Sequence, residues 1–371
     1  MRFAPTEEQD ELRRTVRRFL EEKSPVAEVR RLMETPEGYE PGVWKQLGQE
    51  LGLPGVHIPE AYGGQGLGFV ELGIALEEMG RALLCAPFFG SVALAANAIL
   101  NAGSAAQKRV LLPGIASGET IAALALAEPS GRWDAGGIAT EARPAAGGFA
   151  LHGEKSFVLD GMSAGLFVVA ARTASGVGLF HLRADSEGIA RRPLATIDPT
   201  RKLARLELRG ARAESLGELT GAAAALARTL DQGAAMLASE MVGGAQKLLE
   251  MSVEYAKTRV QFGRPIGSFQ AIKHKCADLL LALELARSSA WYAAAAADEA
   301  PAELPAVASL AKAQVSDAYL RIAAESIQIH GGLGFTWEQD VHLYFKRAKA
   351  SEVLLGDPNW HREQVAERWG L

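Results

Sequence analysis

The feature that most constrains this chain lies after Gly221. From Ala222 to about Arg259 there is no proline, and the apolar residues keep helical spacing. A second such stretch runs from about Ser268 to Asp298 and holds the alanine run Ala293–Ala297; a third covers residues 306–329 and a shorter fourth 337–350. Long helices joined by short polar connections predict an antiparallel bundle.

The first third also reads as helical. Leu12, Val16, Phe19 and Leu20 recur on one face behind Thr6, which with Gln9 fits a capping box. Trp44, Leu47 and Leu51 give a further short apolar face, and PEAYGGQGLG (59–68) reads as a glycine-rich loop before a helix over roughly 70–84. Ser91 to Asn101 is apolar almost all round and predicts a buried helix. Residues 119–220 differ: Gly, Pro and Arg punctuate short apolar runs such as Leu166–Ala170 and Val177–Leu182. This is a β-rich segment. The gaps are too short for crossover helices, so antiparallel pairing is expected. The resulting division is an N-terminal helical domain (1–118), a central β domain (119–220) and a C-terminal helical bundle (221–371).

Charge and motif content narrow the function. Thirty-nine basic against 44 acidic residues leave a net charge of −5, without the basic footprint of a nucleic-acid binder. Cys85 and Cys276 cannot build a disulfide framework, and the seven histidines show no HxxxH or HExxH spacing, so no metal centre is expected. The charged N-terminus does not read as a signal peptide, and no apolar run reaches membrane-spanning length. A cytoplasmic protein is the expectation. No GxGxxG opens a helix after a strand, and there is no Walker A motif.

Three segments carry chemistry. In the first, Arg259-Val-Gln-Phe262-Gly263-Arg-Pro-Ile-Gly-Ser-Phe-Gln270, a plain helix stop accounts for Gly263, Pro265 and Ser268. It does not require Arg259, Phe262 and Gln270 together. A guanidinium, an aromatic ring and an amide around one turn suit a phosphate with a stacked ring. In the second, Gln328-Ile-His-Gly331-Gly332-Leu-Gly334-Phe335, three glycines in four positions permit close backbone approach to an anion or another chain, whereas a simple interhelical turn needs one. The third, Ala127-Glu128-Pro129-Ser-Gly131, is a turn at the start of the β-rich region.

In this order, and with the PEAYGGQGLG loop and the stretch Lys155-Ser-Phe-Val-Leu-Asp160-Gly161, these segments resemble the acyl-CoA dehydrogenase family nearly end to end. The resemblance implies a mainly α fold with a central antiparallel β-barrel-like domain and a C-terminal four-helix bundle. It implies FAD, and α,β-dehydrogenation of an acyl-CoA thioester to the 2-enoyl-CoA. The family carries the ADP half of FAD on the positions that match Arg259, Phe262, Gly263 and Gln270. A neighbouring subunit supplies those that match Gln328, Gly331 and Gly332. An electron-transfer flavoprotein as acceptor, a homo-oligomer or a hetero-oligomer with a homologous chain, and fatty acid or steroid side-chain oxidation are implied in the same way.

The chain departs from the family where the chemistry sits. The usual base is a Glu before a Gly, a few residues past an Arg-Asp-Ala-Lys segment; here that position holds Leu355, before Gly356. The alternative position, on the first long bundle helix, holds Gly233. Glu240 lies seven residues on from Gly233, on nearly the same helical face and about 10 Å along the axis. Among Ala238, Met241, Val242 and Gly243, it is the candidate base, as a buried carboxylate with a raised pKa. The alternative is a Glu that is exposed or paired with Lys247 or a neighbouring helix. Ala127 and Leu159 replace two hydroxyls that family members place at the flavin ring. Glu240 and Arg259 are separated by roughly 28 Å of helix, so base and ADP clamp serve different flavins and the site is shared between subunits. Two readings follow: a homo-oligomeric dehydrogenase with Glu240 as base, or a partner subunit completing the FAD site of a homologous chain.

Overall fold

The computed structural model describes residues 4–371. The chain forms two compact units. One contains the residues up to Arg30, Phe69–Leu84 and Ala234–Leu371; the other contains Arg31–Gly68 and Cys85–Gly233.

The helical unit starts with α1 (Glu7–Lys23). Thr6 Oγ1 accepts from the Gln9 N–H at 3.3 Å and the Gln9 side chain accepts from the Thr6 N–H at 2.9 Å, so the expected capping box forms. α4 (Phe69–Arg81) joins the bundle helices α7 (Ala222–Thr258, from Ala234 on), α8 (Gln270–Glu299), α9 (Leu304–His330), α10 (Val341–Val353) and α11 (Pro358–Trp369) in this unit. The fifth of these bundle helices, α11, was not anticipated; Asp357 caps it and Pro358 opens it. Glycine sets the α4–α7 crossing. A Cβ on Gly80 would stand 1.9 Å from the Glu240 carbonyl oxygen, and one on Gly243 1.7 Å from that of Glu77. The two backbones are in contact, so larger residues there would force the helices apart.

The second unit holds α2 (Val26–Met33) in part, α3 (Pro41–Gln49), α5 (Asn97–Ala102), α6 (Ala105–Ala116) and the sheet. The buried helix expected over Ser91–Asn101 is in fact a π-helix, Phe89–Ala96, that runs into α5. α6 was not anticipated, although Ser104 and Gln107 form a second capping box at its start.

The strands are β1 (Ala122–Ala125), β2 (Glu141–Ala145), β3 (Gly148–Leu159), β4 (Leu166–Thr173), β5 (Gly176–Arg183), β6 (Ile189–Leu194) and β7 (Leu203–Ser215). β2, β3, β7, β5 and β4 pair in a closed ring, with β6 added beside β7. Two pairings correct the expectation: β1 lies parallel to β4, Ala122 opposite Leu166, and β2 also touches β4 in parallel. No crossover helix is needed, because the β2–β3 hairpin already carries the chain back between them.

Candidate functional site

α7 ends at Thr258, and the chain turns through a minimal hairpin, β8 (Val260–Gln261) and β9 (Arg264–Pro265). Its two turn residues, Phe262 (φ 53°) and Gly263 (φ 76°), are both left-handed, as a type I′ turn demands. Glycine tolerates this; phenylalanine does so at a cost of roughly 1–2 kcal/mol. The Phe262 ring is 91% exposed and meets Phe269 edge-on at 6.2 Å. The Arg264 guanidinium covers the Phe269 ring at 4.2 Å. Arg259, Phe262 and Gln270 are all exposed, with Gln270 opening α8.

The second sequence-predicted segment lies at the same end of the bundle. The Tyr255 ring stacks on His330 at 4.3 Å, and its hydroxyl donates to the His330 carbonyl. The structure thereby brings the end of α7, four residues before Arg259, against the residue preceding Gly331. Gln328 is exposed. Gly331 has φ 62°, and a Cβ on Gly331 or Gly332 would meet nothing within 4 Å. Gly332 has neither a left-handed backbone nor a neighbour in this chain to explain it, so its bare backbone is free for a ligand or another chain. Arg259, Phe262 and Gln270 thus offer a cation for a pyrophosphate, a ring for a base and an amide, while Gln328, Gly331 and Gly332, at the same end of the bundle, offer a second amide and open backbone for a neighbouring subunit's cofactor. These residues fit the ADP half of FAD.

Glu240 takes the alternative reading, a carboxylate paired with a neighbouring helix. It is buried, but its Oε1 accepts from Arg347 Nη1 of α10 at 2.7 Å, both side chains being almost fully enclosed. The free carboxylate in apolar surroundings is therefore replaced by an ion pair, and with Arg347 rather than Lys247. Apolar neighbours on α7 gave no sign of this because the partner comes from a helix more than 100 residues away.

Leu355 is buried and left-handed (φ 60°), followed by Gly356 at φ 109°. Around it, Lys312 Nζ donates to the carbonyls of Glu352 (3.0 Å) and Gly356 (3.1 Å) and contacts Ser316 Oγ, while His361 Nε2 meets the Leu355 carbonyl at 3.1 Å. Burial pulls the Lys312 ammonium down to about 7, against the nearby carboxylates of Glu352, Asp357 and Asp317.

In the β-containing unit, the Glu128 turn is held by a second buried pair. Lys155 Nζ donates to Glu128 Oε1 at 2.7 Å and to the Leu126 carbonyl at 3.0 Å; Glu128 also accepts from the N–H groups of Ala139 and Thr140. Burial lowers Lys155 to about 8 against the pull of Glu128. Burial opposes ionisation of Glu128 too, but Lys155 and the two N–H donors outweigh it and hold its pKa low. A bulge in the β3–β7 ladder between Lys155 and Val158 takes Ser156 out of register, and its N–H binds the Ala127 carbonyl at 2.8 Å. The same bulge carries Phe157, left-handed (φ 56°) and partly exposed.

Sequence reasoning missed Lys155, Lys312 and Arg347 as site-shaping residues. A signal existed for Lys312, the sole charged residue between Leu304 and Ser316. Among the described residues no group of His, Cys, Asp and Glu could hold a metal, and no helix is long and apolar enough to cross a membrane.

Three domain models of one family cover the chain: the acyl-CoA dehydrogenase N-terminal domain over residues 6–119, the middle domain over 123–211 and the C-terminal domain over 220–370. The chain belongs to the acyl-CoA dehydrogenase family of flavoprotein oxidoreductases. It is 37% identical over 356 residues to the acyl-CoA dehydrogenase IpdE2 of Mycobacterium tuberculosis, covering 96% of this chain and 95% of that protein. Butyryl-CoA dehydrogenase from Megasphaera elsdenii matches in structure with a TM-score of 0.93 at 28% identity, over 100% of both chains. A chain of the ChsE4–ChsE5 complex from M. tuberculosis matches with a TM-score of 0.90 at 29% identity, over 100% of this chain and 99% of that one.

Proposed function

We propose that this chain is one subunit of a heteromeric FAD-dependent acyl-CoA dehydrogenase, which completes the cofactor site while a homologous chain supplies the base. The observation that carries this reading is the state of the three base positions. Leu355 and Gly233 cannot accept a proton, and Glu240 is committed to Arg347. The positions that match the family's ADP clamp, by contrast, keep their residues. The similarity to a chain of the ChsE4–ChsE5 complex, an assembly of two different chains, supports a mixed oligomer.

Bound FAD supplies a hydride acceptor for the β-carbon of the acyl group. Arg259 would hold the pyrophosphate through charge-assisted hydrogen bonds, Phe262 would offer its ring to the adenine and Gln270 an amide. Gln328 and the bare backbone of Gly331 and Gly332 would meet the cofactor of a neighbouring subunit. The acyl-CoA thioester loses its α-proton to a carboxylate of the partner chain, and electrons leave to an electron-transfer flavoprotein.

A second reading keeps Glu240 as base within a homo-oligomer. It rests on burial: the carboxylate is shielded from water, as α-proton removal requires. Purifying the chain alone, measuring flavin stoichiometry and screening acyl-CoAs with an artificial electron acceptor separates the two. The proposal expects turnover only after a homologous partner is added. Turnover by the chain alone, falling about 10²–10⁴-fold in Glu240→Gln with flavin still bound, overturns it in favour of Glu240.

A further inference from the structure

Within the helical unit, α1, α4, α7 and α10 surround a cavity of about 180 Å³, and none of the candidate cofactor or base residues lines it. Its polar lining is rich in cations. Arg17 comes from α1, Arg81 from the end of α4 and Lys247 from α7, against an apolar wall that includes Leu20 and the Tyr344 ring. The Arg81 guanidinium is only half satisfied. Its Nη2 pairs with Glu250 Oε2 at 2.6 Å, whereas Nη1 is enclosed and has no hydrogen-bond partner. A buried charged donor without an acceptor is costly, and native structures nearly always supply one. The residue is also held in place from behind, since the Tyr344 hydroxyl donates to the Arg81 carbonyl at 2.6 Å.

The carboxylates nearby do not meet the need. Glu78 is buried and already accepts from Arg13 and twice from Arg17. Glu250 is the partner of Nη2 and also accepts from Gln246 at 2.8 Å. Glu21 lines the cavity but is exposed, where solvent and salt screen its charge. Lys247 is half-buried and has no hydrogen bond or ion pair among the described residues. Two cations short of an acceptor therefore line one cavity, with Arg17 as a third.

We propose that this cavity binds a small free oxyanion, of the class of phosphate or a carboxylate, held by Arg81 and Lys247. Its volume is below the roughly 300–1,000 Å³ of pockets that enclose drug-sized ligands, so it suits an ion rather than a larger molecule. A guanidinium offers paired N–H groups to two oxygens and an ammonium adds a point charge, a set that favours an anion with several oxygens over chloride. An anion accepting from both residues ties α4 to α7. It stabilises the native chain by mass action, because the unfolded chain has no such site.

The test uses the full-length chain as purified, dialysed free of phosphate and kept at pH 7 and constant ionic strength with NaCl. The probes are inorganic phosphate and acetate. Calorimetry is expected to show one saturable site per chain, tighter for phosphate because it carries more charge, and the unfolding midpoint rises with its concentration. Lys247→Gln removes a cation that has no partner in the fold. It should keep the midpoint measured without the anion, while phosphate affinity falls about tenfold or more. Arg81→Gln, which also loses the Glu250 pair, should bind still more weakly. Lys273→Gln, at an exposed lysine outside the cavity, should leave the affinity unchanged. Phosphate also raises midpoints without binding, because it is excluded from protein surfaces. A rise that is equal in wild type and Lys247→Gln, with no saturable heat for either probe, would leave water as the acceptor for Arg81 and overturn the proposal. Binding that persists in Lys247→Gln and Arg81→Gln but falls in Lys273→Gln would place the ion elsewhere and overturn it as well.

Discussion

The hairpin after α7 and the turn after α10 use the same backbone device to opposite ends. Each places a left-handed apolar residue before a left-handed glycine, Phe262 with Gly263 and Leu355 with Gly356. In the hairpin the apolar side chain stands 91% exposed, and a Cβ on the glycine would meet nothing. In the turn the apolar side chain is buried, every anchor carbonyl has a partner, and the glycine is wedged against Trp360. A strained turn that the chain itself satisfies is scaffold. One left unsatisfied is a surface prepared for something else. The hairpin is thus open to a ligand, and Leu355, at the position where the family carries its base, is absorbed into the packing.

The largest effect should come from the absorbed side. Arg347→Met strands a buried carboxylate at Glu240 and should cost about 3–5 kcal/mol of folding stability, read from denaturant midpoints. Arg347→Met with Glu240→Gln removes both charges and should recover most of that loss. If the single variant costs less than about 1 kcal/mol, the pair is not structural and Glu240 regains its claim as a base. Lys155→Met should behave alike through Glu128, which it leaves charged, buried and short of its main partner.

The buried lysines also give the scaffold a pH signature. Lys312 titrates near 7 and Lys155 near 8 in the folded chain, whereas a lysine in the unfolded chain titrates near 10.5. Above the folded value the native state has released a proton that the unfolded state still holds. Stability therefore rises with pH up to about 10.5, by about 1.4 kcal/mol per pH unit for each lysine. The slope lost in Lys312→Met, relative to wild type between pH 7.5 and 9.5, measures that contribution. An unchanged slope would mean that Lys312 is not held in the low-dielectric site described.

How much of this was legible follows the same division. The exposure of Arg259, Phe262, Gln270, Gln328 and Gly332 agrees with a sequence in which they fall close together within two segments and are not needed by the local fold. The long helices were readable because α7 to α9 carry many turns of uninterrupted spacing. The absorbed side was not. Pairing of Glu240 with a neighbouring helix was one open reading, but its partner Arg347 could not be named, because pairing across the bundle leaves no periodic trace. The parallel contact of β1 with β4 was missed for a related reason, since its 40-residue separation hides behind the β2–β3 hairpin. Helix α6 is a different failure. Its Ser104–Gln107 box was present in the sequence, but weak amphipathicity and Pro113 in its last turn obscured it.

On the clamp side the effects should be smaller and should appear in cofactor binding. Arg259→Ala should weaken FAD by roughly 1.5–3 kcal/mol, the range of a charge-assisted contact, measured by flavin titration of the apoprotein. Gly332→Val should disturb the cofactor of a neighbouring subunit by adding a branched side chain to open backbone. Oligomers mixing it with Arg259→Ala should regain some intact sites. No recovery in any mixture would mean that each chain supplies both residues to its own site, and would remove the sharing of one flavin between two chains.

The smallest stability effect belongs to Phe262 and sharpens the contrast most. Its ring is nearly all in water and has one edge contact, with Phe269. Phe262→Ala therefore removes little buried area, and surface changes of this kind stay within about 0.5 kcal/mol. Phe262→Gly should do better than Ala, because glycine takes φ 53° without the left-handed penalty, so the hairpin should gain stability. If Phe262 is kept for a stacked adenine, both variants should lose FAD affinity by about 1 kcal/mol or somewhat more while folding holds or improves. That opposition between stability and binding is the signature of a residue held against local preference for a ligand. Unchanged FAD affinity in Phe262→Gly, alongside a raised unfolding midpoint, would leave the exposed ring unexplained by the cofactor and would take the aromatic half of the clamp away.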